Sequence, residues 1–208
     1  MKKGIAASKG YAIGTVFIQE HEEIIISDAK VSDIAAEKEK LSKALAQSKE
    51  QLEAIKEKTA NEIGEHEAQV FEAHLMLLDD VEFTGQMEMT IENDQLNAMK
   101  AVQNVTDTFV MIFDSMDDPY MRERAADIKD VSKRIIANLA GKGGNGMENV
   151  GANTVVVAHD LTPSDTAQLD RSKVIGFLTN IGGRTSHSAI MARTLEIPAV
   201  VGLGDITT

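Results

Sequence analysis

Between about Ser32 and Leu139 the apolar residues recur at helical spacing, and on either side of that stretch they do not. Ile34, Leu41, Leu45, Leu52 and Ile55 form one stripe, Ser48 continues the seam, and Lys and Glu occupy the other faces. A period of 3.6 residues with polar flanks predicts a long amphipathic helix. A second helical stretch runs from about His66 to Ile91, and a third from Asp94 to Met116 has Val102, Val105, Phe109, Ile112 and Phe113 on its apolar side. The fourth opens at Asp117-Asp118-Pro119, a capping carboxylate followed by a proline whose missing N–H costs nothing in the first helical turn. Ile128, Val131, Ile135 and Leu139 carry its stripe to Gly141, where the run Gly141-Lys142-Gly143-Gly144-Asn145-Gly146 cannot hold a helix.

The flanks read differently. Thr15 to Ile18 is a strand and Ile24-Ile25-Ile26 a second candidate. After the glycine run, Thr154 to Ala158, Val174 to Thr179 and Ala199 to Leu203 are short runs rich in β-branched residues, the pattern of buried strands. Between the first two, Thr162 can cap, Pro163 can open and Asp165 can reciprocate for a short helix; between the last two a helix runs from about His187 to Leu195, halted before Pro198. Strand, helix, strand, helix, strand implies an α/β domain with some parallel pairing, interrupted by four inserted helices. The expected division is 1–30 with 145–208 as the α/β domain and 31–144 as the all-α domain.

Composition narrows the chemistry. The 208 residues include no cysteine, which excludes disulfides, thiolate metal sites and cysteine nucleophiles. A net charge of −12 without a basic tract argues against nucleic acid, since that affinity rests on Lys and Arg neutralising phosphates, and favours a basic protein partner. No apolar run reaches the length of a membrane span and no signal-type segment follows Met1-Lys2-Lys3-Gly4, so the cytoplasm is the default compartment.

The chemically informative string is Gly182-Gly183-Arg184-Thr185-Ser186-His187-Ser188-Ala189. A strand, a glycine pair and Thr-Ser-His opening a helix put an imidazole among free N–H groups, where anions gather. Gly183 lets backbone approach a ligand, Thr185 or Ser186 can cap the helix or bind a phosphate oxygen, and Arg184 adds a fixed positive charge. A neutral imidazole nitrogen is a competent nucleophile toward a phosphoryl group. On spacing alone, a surface helix start is the better account of this histidine.

The longer string through Ile190-Met191-Ala192-Arg193 and Leu195-Glu196-Ile197-Pro198-Ala199-Val200-Val201-Gly202 resembles the phosphohistidine signature of enzymes that use phosphoenolpyruvate. With Ile5-Ala6-Ala7-Ser8-Lys9-Gly10, Phe71-Glu72-Ala73-His74-Leu75-Met76-Leu77-Leu78-Asp79-Asp80, Arg122-Glu123-Arg124-Ala125-Ala126-Asp127 and Asp160-Leu161-Thr162-Pro163-Ser164-Asp165-Thr166-Ala167, it is most similar to Enzyme I of the bacterial sugar phosphotransferase system. Lys9 departs from the proline expected at that place.

The resemblance implies an α/β swivelling phosphohistidine domain with an inserted four-helix domain. It implies that His187 is phosphorylated on Nε2, with Thr166 in contact with it. The phosphoryl group would come from phosphoenolpyruvate through a C-terminal domain absent here and pass to a histidine of the phosphocarrier HPr. HPr would dock on Met76, Leu77, Asp80, Glu82 and Phe83, with Arg124 beside them. By helical spacing alone Met76, Leu77 and Phe83 could equally face the core. Magnesium belongs to the full-length family, and no cofactor is expected in this region; His66, Glu67 and His74 lack the spacing of a zinc hydrolase. The chain is expected to exchange phosphate with HPr, to lack a phosphoenolpyruvate site and to dimerise little. Two rivals remain: the swivelling domain of a pyruvate phosphate dikinase or phosphoenolpyruvate synthase, and a non-catalytic helical adaptor.

Overall fold

The computed structural model describes residues 2–19, 24–143 and 150–208. His21 and the end of the glycine run, including the expected boundary at 145, lie outside the described residues. The chain divides into two compact units, one formed by 1–22 with 144–208 and the other by 23–143.

The helical unit contains α1 (Ile34–Glu62), α2 (Glu65–Asp79), α3 (Val81–Asp94), α4 (Ala98–Asp114) and α5 (Pro119–Leu139). The apolar stripes meet in one core, where Leu41, Leu52, Phe71, Phe83, Met87, Ile91, Val102, Ile128 and Ile135 are fully enclosed. Ser48 lies in the seam as expected; its hydroxyl donates to Ala44 C=O at 2.7 Å and accepts from Asn138 Nδ2 at 2.8 Å, so the buried polar atom is satisfied. Ile112 departs from the expected apolar side and is 47% exposed.

The single helix expected from His66 to Ile91 is two helices with Asp80 between them. Asp80 adopts extended backbone, closes α2 and caps α3, its carboxylate accepting the Glu82 N–H at 2.8 Å. An aspartate that can bond the backbone ahead of it competes with helix continuation. Asp33 and Asn97 cap α1 and α4 in the same manner. Glu37, buried on α1, reaches the first N–H of α4, at Ala98, at 2.8 Å, and also pairs with Lys40.

The α/β unit holds β1 (Ile5–Ser8), β2 (Thr15–Ile18), β3 (Thr154–Ala158), α6 (Pro163–Thr166), β4 (Val174–Thr179), α7 (His187–Thr194) and β5 (Ala199–Val201). The sheet order is β1-β5-β4-β3-β2. β2, β3, β4 and β5 run parallel, whereas β1 pairs antiparallel with β5 and bulges at Ala7. Val156, Phe177 and Val201 are buried in this sheet, as are Ala189 and Ala192 of α7. Ile24-Ile25-Ile26 is not a strand: Ile25 is 91% exposed, and β-branched residues without a partner strand do not form one.

Candidate functional site

The loop leaving β4 takes its shape from which of its backbone groups are tied. The Thr179 hydroxyl donates to Ile181 C=O at 2.7 Å. Ser186 N–H and Oγ both reach Gly183 C=O, at 3.2 and 2.9 Å. Arg193 Nη1, from the last turn of α7, donates to Arg184 C=O at 3.1 Å and to Ala7 C=O at 3.3 Å. The main-chain N–H groups of Gly182, Gly183, Arg184 and Thr185, by contrast, donate to no acceptor among the described residues. Carbonyls held and N–H groups left open at a helix start favour an anion.

Gly182 makes this loop possible. Its φ of +115° is unfavourable for any residue with a Cβ, and a Cβ there would lie 3.2 Å from Ser186 Oγ and 3.3 Å from Val201 Cβ. Ser186 is the N-cap of α7, its hydroxyl accepting the Ala189 N–H at 3.3 Å and lying 3.0 Å from Ser188 Oγ. Of the two hydroxyl residues considered for the cap, Ser186 therefore takes that role and Thr185 is exposed.

His187 is the first residue of α7, and its Nε2 lies 3.1 Å from Thr166 Oγ1. Thr166, 1% exposed, ends α6, a single turn that the sequence encodes completely: Thr162 accepts the Asp165 N–H, Asp165 accepts the Thr162 N–H, and Pro163 fills the first position. The Thr166 hydroxyl is also 3.1 Å from Thr162 C=O and 3.0 Å from Pro163 C=O. If its single proton goes to either carbonyl, the hydroxyl accepts from Nε2–H; if it goes to Nε2, it occupies the nitrogen's lone pair. In either arrangement the imidazole must leave Thr166 before Nε2 can attack an electrophile.

At the same end of the sheet, Asn180 joins three segments. Its Oδ1 accepts the N–H groups of Ile206 and Thr207, and its Nδ2 reaches Thr207 Oγ1 at 2.7 Å and His159 Nδ1 at 3.3 Å. His159, which shows no recognisable partner in the sequence, thus has one.

In the helical unit, Met76 is 67% exposed, Leu77 is half-buried, and Asp80 and Glu82 are exposed around the α2–α3 corner. Arg124 is half-buried on α5. Phe83 is enclosed instead, its ring edge-on to Phe109 with centroids 5.2 Å apart, so it supports this surface from the core and does not form part of it. His74 is also fully buried; Nε2 lies within hydrogen-bond distance of Asp127, at 3.1 Å, and Nδ1 is 3.9 Å from Asp130, so the ring links α2 to α5. Sequence reasoning left Arg193 and Asn180 without a role; the side-chain amide among hydrophobic strand residues at Asn180 was the available signal.

Residues 3–124 match the family described as "PEP-utilising enzyme, N-terminal", and residues 150–208 match "PEP-utilising enzyme, mobile domain". The chain is 52% identical over 208 residues to a phosphoenolpyruvate-protein phosphotransferase of Enterococcus faecalis, covering 100% of this chain and 36% of that protein. A protein of the same name from Listeria monocytogenes is 51% identical over 205 residues, which span 99% of this chain and again 36% of the relative. The chain therefore spans about a third of the length of these curated relatives. A solved structure titled as an NMR solution structure of Enzyme I (nEIt) superposes with a TM-score of 0.85 at 45% identity, covering 100% of this chain and 85% of that one.

Proposed function

The chain belongs to the PEP-utilising enzymes, through their N-terminal and mobile domains, and from that premise we propose that it carries a phosphoryl group on His187 Nε2 and exchanges it with a histidine of HPr. The observation that carries this reading is an imidazole at the start of α7, held by Thr166 and following four open main-chain N–H groups. In the forward direction Nε2 attacks phosphorus, a P–N bond forms and the bond to the enolpyruvate oxygen of phosphoenolpyruvate breaks. In the onward step that P–N bond breaks as a new one forms on HPr. The chain's own contribution is positioning and charge neutralisation, as expected for a loose phosphoryl-transfer transition state. Ser186 shapes the loop, Gly183 and Thr185 offer N–H donors, and Arg184 contributes positive charge nearby.

In this reading 1–30 with 145–208 form the phosphohistidine domain and 31–144 the HPr-binding domain. HPr docks on the α2–α3 corner through Met76, Leu77, Asp80 and Glu82, with Arg124 at the edge, and the apolar centre with acidic neighbours suits a basic protein. Magnesium and phosphoenolpyruvate are assigned to the C-terminal part of full-length relatives. No cluster of three or more His, Asp or Glu suited to a metal ion occurs among the described residues. The setting is sugar uptake, with the carrier acting in the cytoplasm; none of the described helices is long and apolar enough to cross a membrane.

The test is intact-mass analysis after mixing the chain with phosphorylated HPr at neutral to alkaline pH, beside a His187→Ala control. One acid-labile phosphate on the wild type and none on the control is the expected result. A folded wild-type chain that takes up no phosphate would overturn the assignment.

A further inference from the structure

Each loop carbonyl that is tied fixes more than itself. A trans peptide is planar, so the C=O of one residue and the N–H of the next point in opposite directions. Holding Arg184 C=O therefore decides where the Thr185 N–H faces, just as the bonds to Gly183 C=O decide the direction of the Arg184 N–H. Ser186 holds Gly183 from within the loop, but Arg184 is held from outside it, by Arg193 nine residues later.

Arg193 is itself located by an irregularity in the sheet. β1 pairs Ala6 with Val200 and Ser8 with Ala199, so Ala7 is the extra residue of a bulge, and Arg193 Nη1 bonds its carbonyl. One guanidinium nitrogen thus joins the bulge to the loop, at 3.3 and 3.1 Å. Helical side chains lean toward the N-terminus, which lets a residue in the last turn of α7 reach back to the segment preceding it.

We infer that Arg193 is a positioning residue for phosphoryl transfer: by clamping Arg184 C=O against the bulged strand, it aims the Thr185 N–H at a phosphoryl oxygen on His187. The inference rests on the proposed role of His187. It assigns Arg193 no contact with the reacting atoms, and it separates Arg193 from partner docking, because the docking residues belong to the other unit.

The experiment measures single-turnover phosphoryl exchange with phosphorylated HPr as a function of HPr concentration, for wild type, R193M and R193K. The Thr185 amide resonance is followed before and after phosphorylation. R193M should lower the rate at saturation roughly tenfold to a hundredfold, less than or comparable to losing one oxyanion donor outright. The half-saturating HPr concentration should stay within about twofold, since docking contacts are untouched. The Thr185 amide should move on phosphorylation in the wild type and much less in R193M, and R193K, which keeps a cationic donor, should recover part of both. If R193M does not fold, R193Q, polar but too short to span both carbonyls, takes its place. A folded variant that exchanges at the wild-type rate overturns the inference. So does one that slows while its Thr185 response is intact, because Arg193 would then act only on stability. Failure of the wild type to accept phosphate is a separate outcome, sinking the assignment of His187 and the role of Arg193 with it.

Discussion

The two units hold their important residues by different means. The helical unit, 23–143, contains 25 Asp and Glu against 14 Lys and Arg, a net of −11, while the α/β unit contains 8 against 7, a net of −1. Nearly all of the charge thus sits on a scaffold of amphipathic helices, where its exposed part can steer a partner over a distance set by ionic strength. The α/β unit works through local geometry instead: a glycine with positive φ, a capped single turn, a bulge and a loop in which the Ile181, Gly183 and Arg184 carbonyls are tied. Recognition spread over many charges tolerates change at any one of them, whereas a loop fixed by single contacts does not.

Three substitutions probe that contrast, in descending order of expected effect. Gly182→Ala introduces a Cβ at φ +115° within 3.3 Å of two neighbours and should cost about 1–3 kcal/mol of local strain. Phosphoryl acceptance should fall at least tenfold while HPr affinity, measured by titration calorimetry, stays the same. Equal losses in both would show that the units are not separable in this way.

Glu37→Gln addresses a buried carboxylate that orders a helix start. Burial opposes the Glu37 charge, but hydrogen bonds from Lys40 and the Ala98 N–H outweigh it and hold the carboxyl below its ordinary range. A group whose folded pKa is depressed adds stability that is full above its unfolded pKa and lost as pH falls through the folded value. The variant should therefore be less stable than wild type by about 1 kcal/mol at pH 7. In urea titrations the gap should close as the pH falls below about 4. A gap of the same size at pH 3 would mean that packing, and not charge, is responsible.

Gly85→Ala is the counterpart of Gly182→Ala. Gly85 lies inside α3 with nothing within 4 Å of where a Cβ would go. The change should stabilise the helical unit by roughly 0.5 kcal/mol and leave phosphoryl exchange as it was. A loss of HPr binding would mark α3 as more intolerant than its open surface indicates.

Much of this architecture is legible from pattern. The stripes from Leu41 to Ile135 locate the helical core, and Thr162-Pro163-Ser164-Asp165 specifies a capped turn by itself, since each of its bonds is local in sequence. The string around His187 points to the candidate site because strand, glycines and helix start are contiguous in sequence. Asp80 escaped because a local cap, its carboxylate on the Glu82 N–H, interrupts a helix that periodicity would continue. The rest of what escaped depended on distant partners: the Phe83 stripe could not reveal which flank Phe109 would cover. The β1 strand exists only because β5 lies alongside it, and Arg193 is one arginine in an ordinary helical turn until the Ala7 bulge supplies its second acceptor.

The pairing of Ile5 with Val201 and of Thr15 with Thr154 bears on how the chain is made. The first two strands leave the ribosome early, yet their neighbours follow only after the whole of 23–143 has been synthesised, a delay on the order of ten seconds at ordinary elongation rates. During that interval the inserted helices can already pack against one another, whereas the two strands lack the β5 and β3 partners with which they pair. The order of completion is therefore built into the connectivity: the helical unit can mature first, and the sheet that carries His187 closes last.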